Sequence, residues 1–214
     1  RFILSLLFYY YYSDPKKCKN EIILYPMHYE PESTISYFTE FYQEQENLVR
    51  NISKTLGVNQ VLFIKEHPQQ PGILLTSKFR KLKKELSNIC YINSEYATDY
   101  IIRKSDCIVT QTSTLGWESL LLQKKVIVFG DVFYDKHPSI YKFDGNWKKL
   151  RNKIRTLNFK IPSSIENIDF IAHMWEYCEY GYPFPSEILF EEDNTSKLIK
   201  SIENKVKLYS NDII

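Results

Sequence analysis

Val61-Leu62-Phe63-Ile64-Lys65-Glu66-His67-Pro68 joins an uninterrupted apolar run to a group of ionisable side chains. An apolar run without alternation is typical of a strand buried on both faces, as in a parallel sheet. The ionisable residues follow directly, so we predict that they lie where the strand ends.

The rest of the chain repeats this arrangement of apolar runs separated by helical periodicity. Further strands are predicted at 21–25, 89–92, 107–109 and 126–129. Apolar residues spaced three or four apart predict helices between them, at Ser36–Leu56, Ser77–Leu86, Ala97–Lys104 and Leu115–Leu122. We therefore expect an α/β fold with a Rossmann-like, doubly wound parallel sheet.

Three regions of the chain differ in pattern. We assign residues 21–145 to the sheet domain and residues 146–214 to extra C-terminal helices. We interpret residues 1–20 as a linker or the remnant of a preceding domain. The apolar run Phe2–Tyr12 is shorter than the roughly twenty residues that span a bilayer, and a membrane tether is the alternative.

Composition and charge exclude several classes of protein. The 214 residues include 28 Lys and Arg against 26 Asp and Glu, a net charge of +2 with dispersed basic residues, which argues against a nucleic-acid partner. This charge is compatible with a peripheral protein near an anionic membrane.

The four cysteines are far apart, so we interpret them as buried thiols of a reducing cytosol. No set of His, Asp and Glu has the spacing of metal ligands, and no metal is expected.

In an open parallel sheet, ligands bind at the carboxyl ends of the strands. Three loops in such positions are rich in polar residues: 25–34, 65–68 and 110–118. The candidate catalytic residues are His67, Glu30 and Glu32, and the candidate substrate-binding residues are His28, Lys65, Thr112, Ser113, Thr114, Gly116 and Glu118.

The loop 110–118 is the most informative of the three. Its hydroxyls and Gly116 lead into a helix whose N-terminus favours a phosphate. Glu118, about one turn into that helix, is placed to accept hydrogen bonds from ribose hydroxyls. The alternative is a plain capping motif, with Ser113 or Thr114 as the N-cap.

The other two loops supply ionisable groups. His67 and Lys65 are placed to offset negative charge on a leaving phosphate, although an exposed loop histidine is the alternative. His28, Glu30 and Glu32 are candidates for a general base or for sugar hydroxyl contacts. Alternatively, the stretch around Glu30 and Glu32 merely begins the long helix.

Four stretches in this order resemble a known family: 25–34, 63–68, 112–121 and 125–134. They are similar to the bacterial capsular polysaccharide biosynthesis family that includes 3-deoxy-manno-octulosonate (Kdo) transferases, over about residues 22–141. The resemblance implies the C-terminal, donor-binding half of a GT-B glycosyltransferase that uses no metal and no cofactor. It also implies that His67 and Lys65 contact the donor phosphate and that Ser113 and Thr114 contact it from the helix terminus. Ser113 stands where relatives commonly carry glycine.

We therefore expect a capsule or surface polysaccharide glycosyltransferase. The expected donor is CMP-Kdo first and another CMP-sugar or a UDP-sugar second, and the acceptor is a glycan or glycolipid. Expected further partners are an N-terminal GT-B domain, absent from this sequence, and a membrane surface. From these expectations we predict that the protein is cytoplasmic and peripheral to the inner membrane. The alternatives are a sugar-nucleotide epimerase of the same fold and a non-catalytic scaffold of a polysaccharide assembly complex.

Overall fold

The fold is taken from a computed structural model, which describes residues 11–30, 37–39, 42, 44–176, 178–181 and 190–211. The chain divides into two compact units, residues 1–167 and 168–214.

The first unit contains a six-stranded sheet in which every neighbouring pair of strands is parallel. The strands are β1 (Glu21–Pro26), β2 (Gln60–Lys65), β3 (Ile89–Ile92), β4 (Cys107–Thr110), β5 (Lys125–Val128) and β6 (Ile140–Lys142). Their spatial order is β3-β2-β1-β4-β5-β6. The predicted doubly wound parallel sheet is thus confirmed, and β6 is a strand that the sequence analysis did not predict.

Helices connect the successive strands from β1 to β5, and further helices follow β6. They are α1 (Gln45–Thr55), α2 (Ser77–Glu85), α3 (Thr98–Lys104), α4 (Thr114–Leu121), α5 (Trp147–Arg155), α6 (Ser164–Trp175) and α7 (Glu192–Asn211). Within the described residues, no helix combines the length and the apolar character needed to cross a membrane.

The sheet is covered on both faces, because the central strands direct alternate apolar residues to opposite sides. On one side, Ile23 and Ile64 belong to a core that includes Leu48 of α1, Leu82 of α2 and Ile154 of α5. On the other side, a core formed by β1, β2 and β4 contains Ile101 and Ile102 of α3. This layering is why continuous apolar runs were a sound signal for the strands.

The single helix predicted for Ser36–Leu56 is interrupted, because Tyr37 and Phe38 are helical but Thr39 and Tyr42 are not. Glu44 is the N-cap of α1, with the extended dihedrals φ −80° and ψ 102°. Tyr42 lies outside the helix, and its ring packs against Phe129, Phe143 and Trp147. The helical spacing of the apolar residues therefore continued through a break that lies between Phe38 and Gln45.

The first unit continues past residue 145, the predicted end of the sheet domain. Leu150 and Ile154 of α5 are buried in the core, and Nε of Arg155 donates to the carbonyl oxygen of Thr55 at 3.2 Å. The described part of the N-terminal segment also packs on this unit, since the backbone N–H of Ser13 donates to the carbonyl oxygen of Tyr91 at 2.7 Å.

The second unit is helical. In it, the hydroxyl of Ser201 donates to the carbonyl oxygen of Tyr180 at 2.7 Å. Large apolar side chains on its helices are exposed, with Trp175 70% and Ile202 63% accessible.

The cysteines differ in exposure, which corrects the expectation that all four are buried. Cys107 is buried, Cys18 and Cys90 are partly exposed, and Cys178 is exposed. Burial raises the pKa of the Cys107 thiol to about 12. Because the thiolate is the reactive form, Cys107 is protected by protonation as well as by exclusion of reagent.

We expect a thiol reagent such as iodoacetamide to modify Cys178 of the native protein at pH 8 and to leave Cys107 unmodified. Peptide mass spectrometry after brief labelling measures both sites. Labelling in denaturant is the control, and it should modify both thiols. Equal labelling of the two sites in the native protein would contradict the burial of β4.

Candidate functional site

The sheet order creates a switch point at the centre of the sheet. From β1 the chain proceeds outward to β2 and β3 and then returns to β4 on the other side of β1. The loops after β1 and β4 therefore diverge at the carboxyl edge, where open α/β sheets bind ligands. The three polar loops predicted from the sequence follow β2, β1 and β4, which are three consecutive strands of the sheet.

His28 connects the loops after β1 and β4. Its side chain is buried, and its Nε2 accepts a hydrogen bond from the backbone N–H of Thr112 at 3.3 Å. A ring nitrogen that accepts in this way carries no proton, so Nε2 of His28 is occupied within the protein. The arrangement makes His28 a link between loops.

The loops after β1 and β2 are joined through Glu30 and Gln70. The backbone N–H of Glu30 donates to Oε1 of Gln70 at 3.0 Å, and Nε2 of Gln70 donates to the carbonyl oxygen of Glu30 at 2.5 Å. The rings of Tyr29 and His67 lie 6.0 Å apart in an edge-on arrangement. Two sets of contacts therefore tie the three loops into one surface.

Gln45, the first residue of α1, organises the loop after β1. It is 1% exposed, and its Oε1 accepts from the backbone N–H of His28 at 2.8 Å and lies 3.2 Å from the hydroxyl of Tyr25. Its Nε2 donates to the carbonyl oxygen of His28 at 3.1 Å and to Oε1 of Glu30 at 2.7 Å. The carboxylate of Glu30, a predicted catalytic group, is thus held by a buried amide.

His67 lies in the loop after β2 with its side chain partly exposed. Its Nδ1 accepts from the backbone N–H of Gln69 at 3.2 Å. The neutral imidazole therefore carries its proton on Nε2, the nitrogen suited to donate to an anionic oxygen.

The side chain of Lys65 has different neighbours from that of His67. Lys65 is two residues after Phe63 on β2, so the two side chains share the face that α3 covers. There Nζ of Lys65 donates to the carbonyl oxygen of Ser94 at 3.1 Å. Burial lowers the pKa of Lys65, and the nearby charge of Glu66 opposes that shift. The structure therefore places the Lys65 ammonium beside the loop after β3, away from the junction of β1 and β4.

The N-terminus of α4 is capped from within the chain. Ser113 is the N-cap, and its hydroxyl accepts from the backbone N–H of Leu115 at 3.1 Å. The backbone N–H of Ser113 in turn donates to Oγ1 of Thr110 at 3.3 Å. The capping alternative for this motif is therefore confirmed as its local role. Oγ1 of Thr112 is buried and has no hydrogen-bond partner among the described residues.

Gly116 allows α4 to pack closely against the loop after β5. A Cβ atom at this position would lie 2.3 Å from the hydroxyl oxygen of Tyr134 and 3.0 Å from Cγ2 of Thr110. The hydroxyl of Tyr134, which is fully buried, donates to the carbonyl oxygen of Ser113. Gly116 thus fixes the first turn of α4 by close packing, which is a different role from the predicted phosphate contact.

The remaining predicted residues are more peripheral. Thr114 and Glu118 are exposed on α4. Glu32 lies outside the residues that the structure describes. In the described part of the chain, no three His, Cys, Asp or Glu side chains cluster as metal ligands would.

A cavity of about 1270 Å³ opens beside this edge, on the β3 side. Residues 12–17 and the loop 92–97 with Tyr100 line the cavity, and so do Glu66, Pro71, Gly72 and Leu75 of the segment that contains His67. Tyr12, Tyr96 and Tyr100 supply flat apolar surface. The charged lining residues have both signs: Lys16 and Lys17 against Asp14, Glu66 and Glu95. The cavity has the size and mixed lining of a site for a small organic molecule.

Sequence reasoning missed the buried amides that hold these loops. Gln45 and Gln111 are both almost fully buried, and the hydroxyl of Tyr25 lies between their Oε1 atoms, 2.7 Å from that of Gln111, to which it donates, and 3.2 Å from that of Gln45. A signal for Gln45 was present, because it falls three residues after Tyr42 and three before Leu48, on the apolar side of the helical pattern. A polar residue on that side needs buried partners.

Fold and site together define a class: an α/β protein with a Rossmann-like parallel sheet and polar loops joined at its topological switch point. The sequence matches the family described as "Capsule polysaccharide biosynthesis protein" over residues 12–139, more than half of the chain. The chain belongs to this capsule polysaccharide biosynthesis family, as the sequence resemblance implied. Among curated proteins, none matches the sequence.

Several solved structures are similar to part of this chain. The beta Kdo 2,7 transferase of Thermosulfurimonas dismutans KpsC is 22% identical, with a TM-score of 0.49, over 78% of this chain and 48% of that one. The beta Kdo 2,4 transferase of the same protein is 17% identical, with a TM-score of 0.46, over 70% and 43%. A Neisseria meningitidis UDP-GlcNAc 2-epimerase bound to UDP-GlcNAc is 16% identical, with a TM-score of 0.46, over 73% and 44%.

The chain therefore spans about half the length of the solved structures that it matches. At these identities the likeness concerns the fold alone.

Proposed function

We propose that this chain is the nucleotide-sugar-binding half of a GT-B glycosyltransferase that builds capsule or another surface polysaccharide. The observation that carries the proposal is the joining of three polar loops at the switch point, through His28 and Thr112 on one side and Glu30 and Gln70 on the other. Family membership supports the polysaccharide context.

The proposed phosphate site lies between His67 and the N-terminus of α4. Nε2 of His67 donates to a phosphate oxygen and, when protonated, offsets the charge that grows on the departing nucleotide. The positive end of α4 acts in the same direction. A ligand oxygen in this position would also satisfy the buried hydroxyl of Thr112, which has no partner among the described residues.

The nucleoside is proposed to occupy the cavity between residues 12–17 and the loop after β3. Its tyrosines offer surface for a flat base, and CMP-Kdo is our first choice of donor. Lys65, beside this cavity, contributes its field to the phosphates. The carboxylate of Glu30, with Glu32, is proposed as base or sugar contact.

In the proposed reaction, an acceptor hydroxyl of a glycan or glycolipid attacks the anomeric carbon. The bond from that carbon to the phosphate oxygen breaks, and the nucleotide leaves with the electron pair. We propose that neither metal nor cofactor takes part, that an N-terminal GT-B domain supplies acceptor contacts, and that the enzyme works at the cytoplasmic face of the inner membrane.

Calorimetric titration with CMP, UDP and GDP tests the proposal. We expect CMP to bind most tightly, and His67→Ala to weaken its binding about tenfold, the effect of one hydrogen bond between charged groups. The control is His173→Ala, an exposed histidine of the second unit, which should leave affinity unchanged.

Equal CMP affinity of the wild type and His67→Ala would refute the phosphate contact. Absence of binding for all three nucleotides would favour the scaffold alternative. Product analysis with a UDP-sugar separates transfer from epimerisation.

A further inference from the structure

Glu66 is a buried carboxylate at the start of the loop that carries His67. It is 2% exposed, and one oxygen, Oε1, accepts three hydrogen bonds. The donors are the hydroxyl of Tyr12 at 2.8 Å, the backbone N–H of Gly72 at 3.0 Å and the backbone N–H of Leu74 at 3.1 Å. A buried carboxylate satisfied by neutral donors makes strong hydrogen bonds, because one partner is charged.

Two of these bonds close the segment 66–74 on itself. Gly72 has the left-handed φ of +89°, and a 3-10 turn at Ile73–Leu75 follows it. Since Glu66 binds the N–H groups on both sides of Ile73, its carboxylate holds this turn against the end of β2. Inside the same segment, Gln70 donates its backbone N–H to the carbonyl oxygen of His67 at 2.9 Å.

The third bond comes from a distant part of the sequence. Tyr12 precedes β1, and its neighbours are fixed on β3 and α2: Nζ of Lys83 donates to the carbonyl oxygen of Tyr11 at 2.7 Å. The hydroxyl of Tyr11 donates to the carbonyl oxygen of Leu74 at 3.2 Å. The N-terminal segment and the loop of His67 thus meet at Glu66.

We infer that Glu66 is a positioning residue for His67 and that Tyr12 assists it, an inference that rests on the proposed phosphate role of His67. The argument is geometric. His67 follows Glu66 directly, and its ring is oriented by the N–H of Gln69 within the segment that Glu66 closes. If the carboxylate is removed, three buried donors lose their acceptor, the segment relaxes, and Nε2 of His67 no longer has a fixed direction.

Three variants test the inference: Glu66→Ala, Glu66→Gln and Tyr12→Phe. Glutamine keeps an oxygen acceptor but loses the charge, and it should rescue most of the loss. We expect about tenfold weaker CMP binding for Glu66→Ala and about twofold to threefold for the other two. Tyr91→Phe is the matched control, because it removes a buried hydroxyl that donates to the carbonyl oxygen of Phe79 at 2.7 Å, outside the segment 66–74.

Two measurements accompany the titration. Hydrogen exchange of the peptide containing Gly72 and Leu74 should accelerate in Glu66→Ala and stay slow in Tyr91→Phe. The NMR signal of the His67 ring should shift in Glu66→Gln while that of His173 does not. These readings separate a local effect on His67 from a general loss of stability.

Unchanged exchange in Glu66→Ala would overturn the inference, and so would CMP affinity equal to that of the wild type. Failure of Glu66→Gln to recover affinity above Glu66→Ala would overturn it as well. If the wild type binds none of the three nucleotides, the proposed function fails and takes the inference with it. That outcome is recognisable because the wild-type titration itself is then flat.

Discussion

Gly116→Ala should destabilise the first unit by about 1–3 kcal/mol, the range for an added methyl group that meets a packed core. The new Cβ would stand 2.3 Å from the hydroxyl oxygen of Tyr134 and 3.0 Å from its Cζ, and the ring is fully buried and has no room to turn aside. To relieve the overlap, the first turn of α4 must move. Urea denaturation measures the loss, and CMP affinity should fall with it if α4 contributes to the phosphate site.

Gly57→Ala is the matched control for this prediction. Its Cβ would meet nothing closer than 3.5 Å, at Oε1 of Gln60, and we expect a change within about 0.5 kcal/mol. Combining Gly116→Ala with Tyr134→Phe removes the shortest contact and should restore part of the stability lost. A Gly116→Ala protein as stable as the wild type would show that α4 does not pack against Tyr134 in this way.

Gln45→Ala is expected to have the second large effect, on both stability and ligand binding. It removes the acceptor of the His28 N–H and the donor to the His28 carbonyl, and it leaves both groups buried. We expect a loss of about 3 kcal/mol in unfolding free energy, from more than one buried polar group without a partner. CMP binding should weaken at least about tenfold, because the contact of His28 with Thr112 depends on this loop.

Gln60→Ala is the control that separates a loss of stability from a loss of ligand binding. Gln60 is 3% exposed and is equally well bonded, to Gly57, Glu21 and the carbonyl oxygen of Ile154. It lies at the amino end of β2, on the opposite edge of the sheet from the proposed ligand. We expect it to lower stability by a similar amount and to leave CMP affinity intact. If Gln60→Ala impaired binding as much as Gln45→Ala, the loss would reflect stability and not the site.

The sequence predicted the sheet well because its strands are buried on both faces. Ile89–Ile92 was predicted with its observed bounds, since an apolar run between polar residues has few other interpretations. The strand Ile140–Lys142 was missed because it is short, lies at the edge and has only partly buried residues. The helix that ends near Leu56 was predicted as one piece from Ser36, because Tyr42, which lies outside the helix and packs on Phe129, fits the helical spacing.

The site was predicted in part. The loops that meet were identified from their place after apolar strands, but the side chains that join them were not, because a hydrogen bond such as that between His28 and Thr112 spans 84 residues. Residue preferences do not tell whether two side chains just after a strand, such as those of Lys65 and His67, have the same neighbours. Lys65 was expected beside His67, and it bonds to Ser94 instead because the pleat directs it toward α3.

The N-terminal segment has one more consequence, for solubility. β3 ends the sheet, and an uncovered terminal strand offers unpaired peptide groups that recruit strands from other molecules. Here the backbone N–H of Ser13 donates a hydrogen bond to the carbonyl oxygen of Tyr91 in β3. The ring of Tyr11 packs in a tilted arrangement against that of Tyr91, with the ring centres 5.5 Å apart. These residues therefore act as a shield against intermolecular β-pairing, and a protein trimmed to begin at β1 would be prone to aggregate along that border.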